Sequence, residues 1–204
     1  MAKDSKEIKD TYTTLSGHGE GNFRDKGSKF LAFAYPVRDE EEIQFHLDAL
    51  QETYYDARHH CYAWRLGPEG NPYRANDAGE PNHSAGTPIL NEIRSRDLSD
   101  VLVVVVRYFG GTKLGIPGLI EAYGASAGEA LDAAPRISRT LTEPVSIVFT
   151  YPQTSEVGRV LQKFALKPSH QEFGADCRQT FEVRLRDHAA VVEVFREMGI
   201  LAGD

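Results

Sequence analysis

Val101-Leu102-Val103-Val104-Val105-Val106-Arg107-Tyr108-Phe109-Gly110-Gly111-Thr112-Lys113-Leu114-Gly115-Ile116-Pro117-Gly118 is the most informative stretch of the chain. Val101 to Val106 is an unbroken aliphatic run, and β-branched side chains pack best on a pleated surface. With no polar alternation, both faces of this strand need apolar cover, so it reads as the centre of a sheet. The glycines that follow permit a tight reversal and a close approach of backbone N–H groups to an anion. Leu119 to Ala134 is rich in Ala, Leu and Glu and predicts a helix, which Pro135 ends.

The pattern extends outward on both sides. Tyr12 to Arg24 and Phe30 to Val37 read as strands separated by turn residues Asp25 to Ser28. From Asp39 to Tyr54, the spacing of Ile43, Leu47 and Leu50 predicts an amphipathic helix with an acidic first turn. Arg58 to Leu66 is strand-like and returns through Tyr73 to Ala75. Asn76 to Thr87 reads as a loop, and Ile89 to Arg96 as a short helix. Beyond Arg136 lies a smaller unit. Strands at Val145 to Tyr151, His170 to Phe173 and Thr180 to Arg186 alternate with helices at Thr154 to Phe164 and Ala189 to Met198. That order, β-α-β-β-α, is ferredoxin-like with its last strand unreadable. We place the boundary in the polar stretch Arg136 to Glu143, giving domains 1–138 and 139–204. Residues 1 to 10 are charged and expected to fray.

Composition restricts the function. The chain has 204 residues, 41% of them hydrophobic and 26% charged, with no aliphatic run long enough to span a membrane. Its net charge is -7, and the 135 N-terminal residues hold 14 Lys and Arg against 21 Asp and Glu. Any nucleic-acid contact must therefore use a local patch rather than a basic domain. Cys61 and Cys177 form no CxxC pair, and the polar N-terminus lacks a secretory apolar segment. Both features predict a cytoplasmic protein without structural disulfides.

Three groups of residues could carry chemistry. The loop Gly110, Gly111, Lys113, Gly115, Gly118, entered through Arg107, suits anion binding; its alternative is a tight strand-to-helix turn. It matches neither a phosphate-binding P-loop nor a dinucleotide fingerprint. Arg58-His59-His60-Cys61 puts His59 and Cys61 on one strand face. With Asp77, Glu80 or His83 these would begin a zinc site or a Cys–His pair, whereas the plainer reading is a buried cysteine beside a hydrogen-bonded histidine. Asp77, Gly79 and Glu80 lie on a loop that could hold two carboxylates for acid–base work, or only form an Asx-type turn. We expect no metal and no cofactor.

Asp56 to Trp64, Asp77-Ala78-Gly79-Glu80-Pro81, Ala85 to Leu90 and Val104 to Gly115 occur in an order and spacing that resemble the IMPACT/YigZ family. The resemblance spans roughly residues 15 to 135, and the C-terminal unit is similar to the second domain of bacterial members. Three positions depart from the family pattern. Ala78 replaces a second acid, while His83 and Pro117 replace glycines. The resemblance implies an α+β fold: an N-terminal left-handed βαβ domain like domain IV of elongation factor G, and a ferredoxin-like domain like its domains III and V. It also implies a role in translational control. We therefore expect a non-enzymatic protein that contacts RNA or a ribosome-associated partner, and no membrane. The candidate surface is Arg58, His59, Arg107, Gly110, Gly111, Lys113, Gly115 and Gly118. Two alternatives are a hydrolase using His59, Asp77 and Glu80, and a module that binds only proteins.

Overall fold

A computed structural model describes residues 10–203. It is α+β, with two compact units: Tyr12–Arg139, and residues 10–11 together with 140–203.

In the larger unit, β2 (Gly19–Asp25), β3 (Ser28–Pro36), β4 (His59–Arg65), β5 (Tyr73–Asn76) and β6 (Val101–Tyr108) form a five-stranded sheet in the order β2-β3-β6-β4-β5. The aliphatic strand β6 is its centre, antiparallel to both β3 and β4. β3 and β4 therefore run parallel and are joined through α1 (Glu40–Thr53) as a split βαβ connection. The unbroken Val/Leu run is explained by a core on each face. Val101, Val103 and Val105 pack with the residues of α2 (Gly86–Ser95) and α3 (Gly115–Ala133), while Leu102, Val104 and Val106 pack with Ile43, Leu47 and Leu50 of α1. Each fully buried Val or Leu contributes about 1.5–3 kcal/mol relative to exposure. Asp39 caps α1 by accepting from the Glu42 N–H at 2.9 Å, as its acidic start predicts.

The smaller unit has β8 (Thr142–Phe149), α4 (Thr154–Lys163), β9 (Pro168–Phe173), β10 (Cys177–Arg184), α5 (Leu185–Glu197) and β11 (Leu201–Gly203), with sheet order β11-β8-β10-β9. Numbered within the unit, that is 4-1-3-2, the ferredoxin-like arrangement. The final strand unreadable in sequence is β11, three residues long and paired with β8. Its residues are too few to display an alternation.

The structure corrects several other expectations. Tyr12 to Arg24 is not one strand, because the chain breaks between β1 (Thr11–Leu15) and β2. The polar linker Arg136 to Glu143 contains β7 (Arg136–Thr140), which pairs with β1 in a separate two-stranded sheet. Every β7 residue is exposed, so the strand has no apolar face to announce it. Helix α3 begins at Gly115 rather than Leu119. Pro117 sits in its first turn, where a missing N–H costs nothing. The fraying expected for residues 1–9 lies outside the described residues. Asp10 is not frayed: it is buried, its carboxylate accepts two bonds from Arg184 at 2.8 and 3.2 Å, and its division falls with the smaller unit. Among the described residues, no helix is long and apolar enough to cross a membrane.

Candidate functional site

Strand β6 carries Arg107 to the edge of the core, where its side chain and that of Glu80 are only 7% and 5% exposed. Arg107 Nη1 donates to Glu80 Oε1 at 2.5 Å, and Tyr123 of α3 donates its hydroxyl to the same oxygen at 2.8 Å. Cys61 lies behind Tyr123, with its thiol 3.3 Å from the phenol oxygen and 3.0 Å from the Asp77 carbonyl. Burial pushes the Cys61 thiol up to about 12 and also raises the Tyr123 phenol. Burial disfavours the thiolate that a nucleophilic cysteine needs, which supports the plainer reading of Cys61 as a buried structural thiol.

The loop between β5 and α2 is held by its own polar side chains. Asp77 Oδ1 accepts from the Ala85 and Gly86 N–H groups at 3.0 and 2.8 Å, and Oδ2 accepts from the His83 N–H at 2.9 Å. Three backbone donors occupy this carboxylate, which joins the loop to the start of α2. Asn76 closes an Asx turn onto the Ala78 N–H at 2.8 Å. His59 Nδ1 lies 2.9 Å from the Ala78 carbonyl. A carbonyl only accepts, so Nδ1 carries the proton. His83 has a φ of +62°, in the left-handed region that favours glycine, which gives a physical reason for glycine at that position.

The glycines after Arg107 have separate roles. Gly110 donates to Ser28 Oγ at 3.1 Å, and a Cβ there would overlap the Gly27–Ser28 backbone. Its N–H is therefore spent internally, contrary to its expected place in an anion cradle. Gly111 and Gly115 take φ values of +88° and +77°, and a Cβ on Gly111 would meet nothing within 4 Å. Gly118 lies inside α3 and spaces it from Leu114. Lys113 is exposed beside the start of α3, which has no side-chain cap among the described residues.

Two clefts meet at this point, sharing Arg107 and Phe109. One, of about 390 Å³, is lined by Asp56, Ala57, Arg58, His59 and Tyr108 as well. The other, of about 360 Å³, is bordered by Glu80, Lys113, Gly115 and Ile116, among others. The structure thus gathers Arg58, His59, Glu80, Arg107, Lys113 and Gly115 around one aromatic side chain. Gly110, Gly111, Gly118, Asp77 and Gly79 do not line either cleft. Arg107 is also not the free phosphate cation expected of it, because Glu80 already pairs with it. Phe109 was not singled out in the sequence. Its signal was an aromatic directly before a double glycine, where strand burial ends. Among the described residues, no group of three His, Cys, Asp or Glu could hold a metal ion.

The Impact N-terminal domain family matches residues 26–131, slightly more than half of the chain. This chain belongs to the IMPACT family. A Thermus thermophilus IMPACT family member is 47% identical over 65% of this chain and 69% of its own. Bacillus subtilis YvyE, another IMPACT family member, is 34% identical over 78% of this chain and 75% of its own. A crystal structure of a hypothetical protein aligns with 95% of this chain and 96% of its own, at 23% identity and a TM-score of 0.68. That likeness extends the common fold across both units of this IMPACT family member.

Proposed function

We propose that this IMPACT family member is a cytoplasmic, translation-linked regulator that binds RNA through phosphate contacts at the start of α3. The family resemblance supplies the translational part of the reading. One observation carries the RNA part: Lys113 and Gly115 border a cleft at the N-terminus of a 19-residue helix that has no side-chain cap among the described residues. An anion at such an end gains about 0.3–1 kcal/mol from the helix dipole, and the Lys113 ammonium adds a charge-assisted contact. Arg58 borders the adjoining cleft and gives the phosphodiester chain a second cation. In a protein of net charge -7 this local group of cations, not the overall field, would attract the backbone. The hydrolase alternative is weakened because three backbone donors hold Asp77 in the loop frame and Arg107 and Tyr123 both bind Glu80 Oε1.

The test is a salt titration of binding to a labelled single-stranded RNA. Affinity should fall linearly on logarithmic axes, with a slope of about -0.7 per phosphate contacted, and Lys113→Ala should reduce that slope by about one contact. Lys113 is exposed, so its loss should leave the unfolding free energy within about 0.5 kcal/mol of the parent. A flat salt response, or unchanged binding in Lys113→Ala, rejects the proposal. Nuclease-resistant capture of a ribosome-associated protein without RNA binding would favour the protein-only module instead.

A further inference from the structure

The floor of the cleft beside Lys113 holds hydrogen-bonding groups that the phosphate contact does not use. Arg107 spends Nη1 on Glu80, but its Nε is buried and has no hydrogen-bond partner among the described residues. Buried donors are almost always matched, and one left unmatched costs about 1–3 kcal/mol. Such a group points to a partner outside the chain. Both bonds accepted by Glu80 fall on Oε1, which leaves Oε2 to accept from a ligand. The floor thus offers a cationic donor beside an anionic acceptor.

The borders of the same cleft are apolar. Leu114, Ile116 and Leu119 line it with Phe109, whose ring lies 5.6 Å from the Arg107 guanidinium and is 55% exposed. Phe109 lines both clefts beside that guanidinium, so displacement of its exposed ring is the route by which a ligand would reach Arg107. An apolar border, a donor and an acceptor among the lining side chains, and an ammonium on the same border match the three parts of a nucleotide. The ring stacks, its edge pairs, and its phosphate stays outside. A duplex does not fit, because its bases already spend those edges on each other.

We propose that this cleft takes one unpaired base of a single-stranded RNA, stacked on Phe109 with its hydrogen-bonding edge against Arg107 and Glu80. The inference rests on the phosphate contact at Lys113, and its test separates the two. Fluorescence anisotropy would compare an eight-nucleotide RNA, the same RNA made abasic throughout, and the same RNA annealed to its complement, each with the full chain. The parent should bind the intact strand about tenfold more tightly than the abasic one, the order of a single aromatic–base stack. Phe109→Ala should erase that difference and Phe109→Trp should keep it, while Lys113→Ala should weaken both strands alike. Equal affinity for intact and abasic strands, with Lys113→Ala still weakening both, overturns the base site and leaves the phosphate contact standing. Preference for the duplex overturns the base site too. No binding to any of the three at low salt overturns both readings.

Discussion

The two loops that meet at Arg107 both contain glycine and small residues but are built in opposite ways. The first, between β5 and α2, is fastened by Asn76, by both oxygens of Asp77 and by Glu80. The second, between β6 and α3, is anchored at Gly110 and then runs exposed through Gly111, Thr112 and Lys113. Small residues and glycine occur in both, yet the first spends its carboxylates on the frame, whereas the second carries the exposed Lys113. The contrast teaches that a glycine-rich motif is not a binding site as a whole. Some of its residues hold the frame so that a few neighbours can meet a ligand.

The largest test of this contrast removes the frame. Glu80→Ala leaves the Arg107 charge buried without its partner, and should cost about 3–5 kcal/mol in urea unfolding. Replacing both members together, as Glu80→Leu with Arg107→Met, should recover most of that loss. If Glu80→Ala costs less than about 1 kcal/mol, the pair is solvated and the loop is not framed as described.

A smaller effect separates neighbouring glycines. Gly110→Ala forces a methyl group into the Gly27–Ser28 backbone and should cost about 3 kcal/mol, near the upper end for overpacking. Gly111→Ala meets open space and suffers only from its left-handed φ, about 1–2 kcal/mol. Equal losses at the two positions, measured by the same unfolding experiment, would erase the distinction between anchor and free loop.

The subtlest difference is in pH dependence. The Cys61 thiol ionises near 12 in the folded protein, against an ordinary value of 9, because burial disfavours the thiolate. The unfolded chain therefore releases this proton first as pH rises. The contribution is intact below about pH 9 and declines between pH 9 and 12. Tyr123 shifts in the same direction. Cys61→Ala should flatten the alkaline fall in stability, read from melting temperature against pH. An identical alkaline profile in Cys61→Ala would show that the thiol is not held neutral by the fold.

Much of the architecture was legible because periodicity reports burial. Val101 to Val106 predicted a strand covered on both faces, and Ile43, Leu47 and Leu50 predicted α1. Strands β7 and β11 were not legible. One exposes every residue and the other has three, so neither leaves a pattern. Within the site, the sequence named Arg58, His59, Glu80, Arg107, Lys113 and Gly115 among its candidates, all of which border the two clefts. It also named Asp77 and Gly110, whose polar groups are spent on the backbone and on Ser28. Phe109 escaped notice because an aromatic at a strand end looks the same whether its ring is buried or exposed.

Residue order alone determined which segments could bury apolar surface, since hydrophobic spacing is a local property of the chain. It determined equally the concentration of glycines, with Lys113 among them, after β6. Which carboxylate meets which cation was decided only in three dimensions, where Glu80 and Arg107 come together across 27 positions of sequence. Solvent exclusion at that junction turns two ordinary charges into a buried pair, leaves one guanidinium N–H without a partner among the described residues, and sets an exposed aromatic beside it.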